Sequence, residues 1–224
     1  QEGLKFGLGR AVDMLIRQGA IGDSPVSRAE KLCAAASYAR MSGVSMPVMT
    51  ATGSGNQGIT LLLTIEGVAQ AMGIDEETKL RAAALANLIN IYVKTFTGTL
   101  SAVCACGVAS GLGASVGVVY MLGGGEKQML FAMQNILGSI CGMICDGAKE
   151  GCASKVQLSS GLAVKAAFLA MNGMGIRGGD GIVGTHGLSS LFENLGHLVR
   201  EGMENTNSVI VEIMSGNEDC RDRA

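Results

Sequence analysis

The chain has 224 residues, a formal charge of −2 and only 16% charged residues, and it contains no basic run. This length supports one sizeable core or two small ones, and the lack of a basic patch argues against nucleic acid as a partner. Aromatic residues make up only 4% of the chain, so the core must be built from aliphatic side chains, methionines and the 34 glycines. Such small residues allow helices to approach closely, and we therefore expect tightly packed helices.

Apolar periodicity and capping signals predict a series of helices. Ser27 and Glu30 form a capping-box pattern, in which each side chain accepts a hydrogen bond from the other residue's backbone N–H. Asp75 is a predicted N-cap, followed by two acidic residues that suit the positive end of a helix. In chain order the predicted helices cover residues 4–18, 27–41, 59–72, 75–96, 99–122, 127–145, 152–171 and 189–204, while 208–214 fits a strand or a short helix.

The segment 99–125 carries no charge and admits two interpretations. Its length could span a bilayer, and Gly107 and Gly111 have the small-xxx-small spacing of membrane helices. However, it is rich in weakly hydrophobic residues, and neither a basic cluster nor an aromatic belt flanks it. We favour a buried helix of an all-α fold, a compact multi-helix bundle packed around the Gly/Ala-rich helix near residues 99–122.

Seven cysteines are an odd number for an oxidised secreted domain, in which cysteines are usually paired. The chain begins at Gln1 rather than Met, and no hydrophobic signal segment follows. We therefore expect a cytoplasmic protein and a sequence that is part of a longer chain. No repeat and no long linker interrupts it, so one helical domain is predicted over residues 1–224.

Three cysteines, Cys104, Cys145 and Cys152, lie in glycine-rich surroundings that suit a soft metal centre. Gly147 and Gly151 fall between the last two and disfavour a continuous helix, so both sulfurs can turn toward one point. Three thiolates leave one coordination position open, as a catalytic metal requires. The spacing is not that of a zinc site, because the chain has no CxxC pair.

The other cysteines are expected to serve mainly as small apolar residues. Cys33 and Cys106 are assigned to the core, and so is Cys141. Cys141 remains an alternative ligand because it precedes Cys145 by four residues, which would place both on one face of the predicted helix. Cys220 lies near the C-terminus, where a disordered tail is the simpler interpretation.

A polar glycine loop, residues 50–58, precedes the helix predicted from residue 59. Free N–H groups at a helix N-terminus bind carboxylates, and Ser54, Asn56 and Gln57 add side-chain donors beside Gly55. The loop has neither the lysine of a Walker A motif nor a dinucleotide fingerprint. An ordinary capping turn is the alternative, and a small amino-acid carboxylate is the ligand that we favour.

Three sequence segments together resemble the L-cysteine desulfidase family, which is related to the α-chain of iron–sulfur L-serine dehydratases. The segments are Ser54-Gly-Asn-Gln-Gly-Ile59, Leu100-Ser-Ala-Val-Cys104 and Gly142-Met-Ile-Cys-Asp-Gly-Ala148 with Cys152-Ala-Ser-Lys155. The resemblance extends over residues 4–214. It implies a pyridoxal-independent lyase whose [4Fe–4S] cluster is held by Cys104, Cys145 and Cys152. Cys106 lies two residues from the family's cysteine position, so Cys104 is preferred.

The resemblance further implies α,β-elimination from L-cysteine or L-serine, a small amino-acid substrate. Family members carry an N-terminal half with a cysteine in a Gly-Cys-Thr-Glu-Pro-like motif, the proposed base, and this chain has no such motif. An N-terminal domain or companion subunit is therefore an expected partner, as is a second copy of the chain in a homo-oligomer. In some related dehydratases a terminal cysteine plugs the open iron, a role that Cys220 could share. Neither Lys155 nor Asp146 is assigned a catalytic role.

Two other functions stay open on the sequence alone. One is a non-catalytic domain that binds a cluster or a metal and lacks its partner half. The other is a small membrane helical protein.

Overall fold

The structure, a computed structural model, describes the backbone of residues 2–221 and the side chains of residues 2–216. Within this range the chain folds into α-helices joined by short irregular segments, with isolated β-bridges and no strand, as the all-α prediction requires. The helices are α1 (Gly7–Arg17), α2 (Pro25–Met41), α3 (Gly55–Met72), α4 (Glu76–Thr97), α5 (Val108–Met121), α6 (Glu126–Ile140), α7 (Cys152–Met171), α8 (Gly187–His197) and α9 (Thr206–Arg221). The segment 208–214 is therefore helical. The side chain of Cys220, considered above as a plug, lies outside the described residues.

Local capping chemistry sets several helix ends. The Asp75 carboxylate accepts a hydrogen bond from the backbone N–H of Thr78 at 2.9 Å, which confirms the predicted start of α4. The capping box of α2 was predicted one turn too late. It pairs Ser24 with Ser27, and Pro25 occupies the first helical position, where its missing N–H costs nothing.

The apolar helix α5 lies at the centre of the fold, as predicted. Every residue from Val108 to Met121 is buried except the half-buried Tyr120, and α5 contacts α3, α4, α6 and α7. Its start was predicted wrongly, because residues 99–107 form an irregular segment that follows Gly98, whose φ of 80° ends α4. None of the described helices combines the length and the apolar character needed to cross a membrane.

Further helix boundaries differ from the prediction. The helix α3 begins at Gly55 rather than at residue 59, because the Ser54 side chain caps it, so Gly55, Asn56 and Gln57 lie in its first turn rather than in a loop. The helix α6 ends at Ile140, so residues 141–151 form a loop rather than a continuation to residue 145. Cys141 and Cys145 therefore do not share a helix face, and the reason for pairing them as ligands is lost. Near the other end of the chain, α8 ends at His197 and continues as a π-helical turn over Leu198–Gly202.

Candidate functional site

The predicted cysteine ligands and the polar residues of the glycine loop line one cavity of about 440 Å³. Its wall is built from the C-terminus of α2, the start of α3, the segment 99–106, the loop 145–148 and the first turn of α7. The lining side chains that carry polar or sulfur atoms are Arg40, Thr52, Ser54, Asn56, Gln57, Thr99, Ser101, Cys104, Cys106, Cys145, Asp146, Cys152 and Lys155. The three predicted ligands and the polar glycine loop therefore face the same space.

Backbone pairing brings the first two of these cysteines together. The N–H of Cys104 donates to the carbonyl of Met143 at 2.8 Å, and the N–H of Cys145 donates to the carbonyl of Ala102 at 2.7 Å. These bonds form an isolated antiparallel bridge between Val103 and Ile144. The bridge requires extended backbone on both sides, which explains why neither segment is helical.

The third cysteine begins α7, and its thiol donates to the carbonyl of Gly147 at 3.2 Å. That bond folds the glycine-rich loop back toward the helix, so Cys145 and Cys152 both reach the cavity, as the two glycines led us to expect. Cys104 and Cys152 are buried, whereas Cys145 is exposed. Burial raises the pKa of the Cys152 thiol.

A fourth thiol also lines the cavity. Cys106, predicted to be a core residue, lies with its Sγ 3.8 Å from the Oγ of Ser54. The neighbouring Cys106 thiol, together with burial, raises the pKa of Cys104, and interaction with Cys104 lowers the pKa of Cys106. Cys106 is thus the more acidic thiol of the pair. Cys33, by contrast, is fully buried between α2 and α3, where burial raises its pKa to about 12.

The thiols of the cavity wall are donors of the kind that hold an iron–sulfur cluster. Among the side chains of residues 2–216, no three His, Cys, Asp or Glu groups are placed to hold one metal ion. A cubane cluster is bonded to each cysteine through a different iron, so its ligands stand apart around the cluster. Four thiols around one cavity, with no histidine in its wall, fit that chemistry.

The polar glycine loop is a tight turn that presents the N-terminus of α3. Ala51 and Ser54 exchange two backbone hydrogen bonds, and the residues between them, Thr52 and Gly53, have φ values of 47° and 80°. A β-branched residue at positive φ is strained. The Thr52 hydroxyl offsets this strain by donating to the Oε1 of Gln57 at 2.7 Å.

The same network orients the side chain of Gln57. Its Oε1 also accepts a hydrogen bond from Asn90 at 3.1 Å, which leaves the amide NH₂ as its donor toward the cavity. The backbone N–H groups of Gly55 and Asn56 have no acceptor within the described part of the chain. Asn56 and Gln57 line this corner of the cavity, whereas Gly55, the fourth residue predicted to bind the substrate, does not line it. The Asn56 N–H and the Gln57 amide are therefore the donors at this corner, and N–H groups at a helix N-terminus bind anions.

Arg40, which the sequence analysis did not single out, adds a positive charge at this corner. It lies at the end of α2, and its Nη1 donates to the Oδ1 of Asn56 at 3.2 Å. The guanidinium packs so closely on Gly55 that a Cβ there would stand 2.6 Å from Nε. A cation beside the positive end of a helix is unfavourable unless an anion lies between them. No local sequence signal could reveal this residue, because helices α2 and α3 meet only in the folded chain.

Lys155 holds the cysteine loop in place. Its ammonium forms an ion pair with Asp146 and donates to the carbonyl of Ile144 at 3.0 Å. Both contacts connect α7 to the residues on either side of Cys145. Through these two contacts Lys155 and Asp146 hold the backbone around Cys145.

Comparison with known proteins gives the chain its family. The family model described as serine dehydratase alpha chain matches residues 4–212. The UPF0597 protein of Desulfatibacillum aliphaticivorans is 42% identical over 214 residues, which are 96% of this chain and 48% of the relative. The UPF0597 protein of Caldanaerobacter subterraneus subsp. tengcongensis is 46% identical over 188 residues, which are 84% of this chain and 44% of the relative.

The chain thus spans about half the length of the curated relatives that it matches. A search of the solved structures gives no significant match. The family model covers nearly all of the described helices, from Leu4, just before α1, to Glu212 in α9. This coverage includes every cysteine of the cavity and the turn before α3, and on this basis the chain belongs to the serine dehydratase alpha chain family.

Proposed function

We propose that this chain is the cysteine-bearing domain of an iron–sulfur lyase that converts L-cysteine and water to pyruvate, ammonia and hydrogen sulfide without pyridoxal phosphate. The observation that carries the proposal is the cavity in which Cys104, Cys145 and Cys152 face the turn before α3. A [4Fe–4S] cluster on these thiolates would supply a Lewis acid, through the iron that no cysteine holds, toward the substrate carboxylate and the leaving group. The free thiols of the described cysteines suit a reducing compartment, and we place the protein in the cytoplasm.

In this proposal the substrate carboxylate binds at the N-terminus of α3. The N–H group of Asn56 and the side chains of Ser54 and Gln57, which all line the cavity, are the donors that hold it. Arg40 adds a charge-assisted hydrogen bond, for which it has free guanidinium N–H groups besides the one given to Asn56. This corner fixes the amino acid with its β-carbon toward the thiol-lined wall.

The reaction removes the α-proton and breaks the bond from the β-carbon to sulfur. The electrons of the Cα–H bond form the Cα–Cβ double bond, and those of the C–S bond leave with the sulfide. The resulting aminoacrylate takes up water and gives pyruvate and ammonia. We propose that the base comes from an N-terminal domain or companion subunit that closes over the cavity. Leu100, on the cavity rim, is 93% exposed, and in this proposal the closing polypeptide covers it.

L-Serine is the second candidate substrate, and the family description favours it. The same groups would bind its carboxylate, and hydroxide would leave in place of sulfide. The two substrates share every atom of the carboxylate corner. The distinction between them therefore depends on how well the thiol-lined wall accommodates a leaving oxygen or a leaving sulfur.

The test is an anaerobic assay of the protein after reconstitution with iron and sulfide, both alone and together with the N-terminal half of a relative. The proposal predicts sulfide and pyruvate in equal amounts from L-cysteine. Pyruvate from L-serine with none from L-cysteine would assign the dehydratase. The third outcome is a protein that holds the cluster but neither binds nor converts either amino acid when the N-terminal half is present. That outcome would contradict the lyase proposal and assign a non-catalytic cluster-binding domain.

A further inference from the structure

The side-chain amide of Gln57 is buried, and only its oxygen has hydrogen-bond partners within the described residues. The side chain is 3% exposed, and its Oε1 accepts hydrogen bonds from Thr52 at 2.7 Å and from Asn90 at 3.1 Å. Buried polar groups are nearly always hydrogen-bonded. Because Gln57 lines the cavity, its NH₂ group is left for a ligand that binds there.

Asn90 connects this amide to the central helix α5. It is fully buried in α4, and its Nδ2 donates to Gln57 and, at 3.3 Å, to the Oγ1 of Thr52. Its Oδ1 accepts a hydrogen bond from the Oγ of Ser110 in α5 at 3.4 Å. Ser110 is also fully buried, and this is the one hydrogen bond that its hydroxyl makes to the described part of the chain. The hydroxyl proton must therefore go to Asn90, because a buried donor without an acceptor is costly.

The proton of Ser110 sets the direction of each hydrogen bond that follows. A side-chain amide that is turned by 180° exchanges its acceptor oxygen and its donor NH₂. Since Ser110 donates, the oxygen of Asn90 faces Ser110 and its NH₂ faces Gln57. The Gln57 amide must then present its oxygen to Asn90 and its NH₂ to the cavity. A serine of the central helix thus makes this corner of the cavity a hydrogen-bond donor.

We infer that Ser110 and Asn90 are positioning residues that make the site select a carboxylate over a neutral carboxamide. The inference rests on the proposed function, which places the substrate carboxylate at this corner, and it adds the residues that determine the class of ligand. A carboxylate only accepts hydrogen bonds, so it matches the NH₂ of Gln57. A reversed Gln57 amide would present its oxygen, which repels a carboxylate and accepts a hydrogen bond from a carboxamide.

The test is Asn90→Asp, which reverses the direction of the bonds at almost constant side-chain size. The new carboxylate only accepts, and the hydrogen bonds that it accepts favour its ionised form, so Gln57 turns its oxygen toward the cavity. The probes are L-alanine and L-alaninamide, which carry no leaving group and are not converted. Calorimetry on the reconstituted protein, with the N-terminal half of a relative present, measures the Kd of each probe. We expect the preference for L-alanine to fall by about tenfold or more.

Three further variants separate this effect from others. The charge of the new aspartate also acts on L-alanine directly, so Asn90→Asp is repeated in a Gln57→Ala background, where it should change the preference much less. Ser110→Ala adds no charge and should lower the preference in the same sense by a smaller factor. Ser115→Ala makes the same change at a buried serine of α5 that bonds to the carbonyl of Leu112, and it should leave the preference unchanged.

Two results would overturn the inference. One is a folded Asn90→Asp variant that binds both probes more weakly by the same factor, as a merely structural role predicts. The other is an equal loss of preference with and without Gln57. If Asn90→Asp does not fold, Ser110→Ala decides, and an unchanged preference in that variant contradicts the inference. Failure of the proposed carboxylate site has a different signature, which is a wild-type protein that binds neither probe.

Discussion

The packing of α5 against α4 leads to a quantitative prediction about two glycines of the same helix. A Cβ added at Gly113 would stand 2.4 Å from the carbonyl oxygen of Ala86 in α4 and 2.8 Å from Cδ2 of Leu61 in α3. At Gly111, the nearest atom to an added Cβ is Cγ2 of Ile136, at 3.6 Å. The first site has no room for a methyl group, whereas the second allows an ordinary van der Waals contact.

Both substitutions to alanine gain about 0.8–1 kcal/mol in helix propensity. At Gly113 a carbon–oxygen contact of about 3.3–3.6 Å must be restored, so the α4 backbone has to move by about 1 Å. Overpacking of this kind costs about 1–3 kcal/mol, and more where the obstacle is backbone. We therefore expect Gly111→Ala to stabilise the fold by up to about 1 kcal/mol and Gly113→Ala to destabilise it by about 2 kcal/mol.

Urea denaturation followed by far-UV circular dichroism measures both changes, and thermal melting should separate the variants by about 2–4 °C per kcal/mol. Gly111→Ala is the matched control, because it makes the same chemical change in the same helix. Equal unfolding free energies for the two variants would refute the close contact between α4 and α5.

Three further predictions concern single side chains. Ser24→Ala should cost about 1 kcal/mol of unfolding free energy by removing the cap of α2, whereas alanine at Ser42, beyond the end of that helix, should cost less. Burial raises the pKa of the Glu30 carboxyl above its value in the unfolded chain. Between these two pKa values the folded protein keeps a proton that the unfolded chain has lost, so the free energy of unfolding falls as the pH rises through this range. Glu30→Gln should therefore melt higher than the wild type at neutral pH and show no such gain at pH 3; a gain that is independent of pH would contradict this. Arg40→Gln should raise the KM for the amino acid while the iron content stays unchanged, and an unchanged KM would remove Arg40 from the carboxylate site.

Helices with local start and stop signals could be predicted from the sequence. Asp75 caps α4 with its own side chain, and Gly73 ends α3 at a φ of 68°, so residues within one turn of each end carry the information. The segment 99–107 could not be distinguished from a buried helix, because both are apolar and uncharged. The bridge that holds Val103 in this segment pairs it with Ile144, some 40 residues along the chain.

The candidate site was predicted only in part, for the same reason. Cysteine spacing and the polar glycine loop indicated residues that the structure places around one cavity. Arg40 reaches that cavity from the end of α2, and an ordinary surface arginine looks the same in a sequence. Cys106 was assigned to the core because it lies two residues from the preferred ligand Cys104. Its neighbours in the sequence do not indicate whether its side chain faces the cavity.

The assembly of a cluster on the three cysteines tests the account most directly. Wild-type protein and the single variants Cys104→Ser, Cys145→Ser and Cys152→Ser are reconstituted with iron and sulfide without oxygen, with Cys33→Ser as the buried control. We expect about four iron atoms and four sulfides per chain, with visible absorption, in the wild type and in Cys33→Ser, and a loss of both in the other three variants. A reconstituted wild type that stays colourless, or a cluster that survives all three substitutions, would contradict the account.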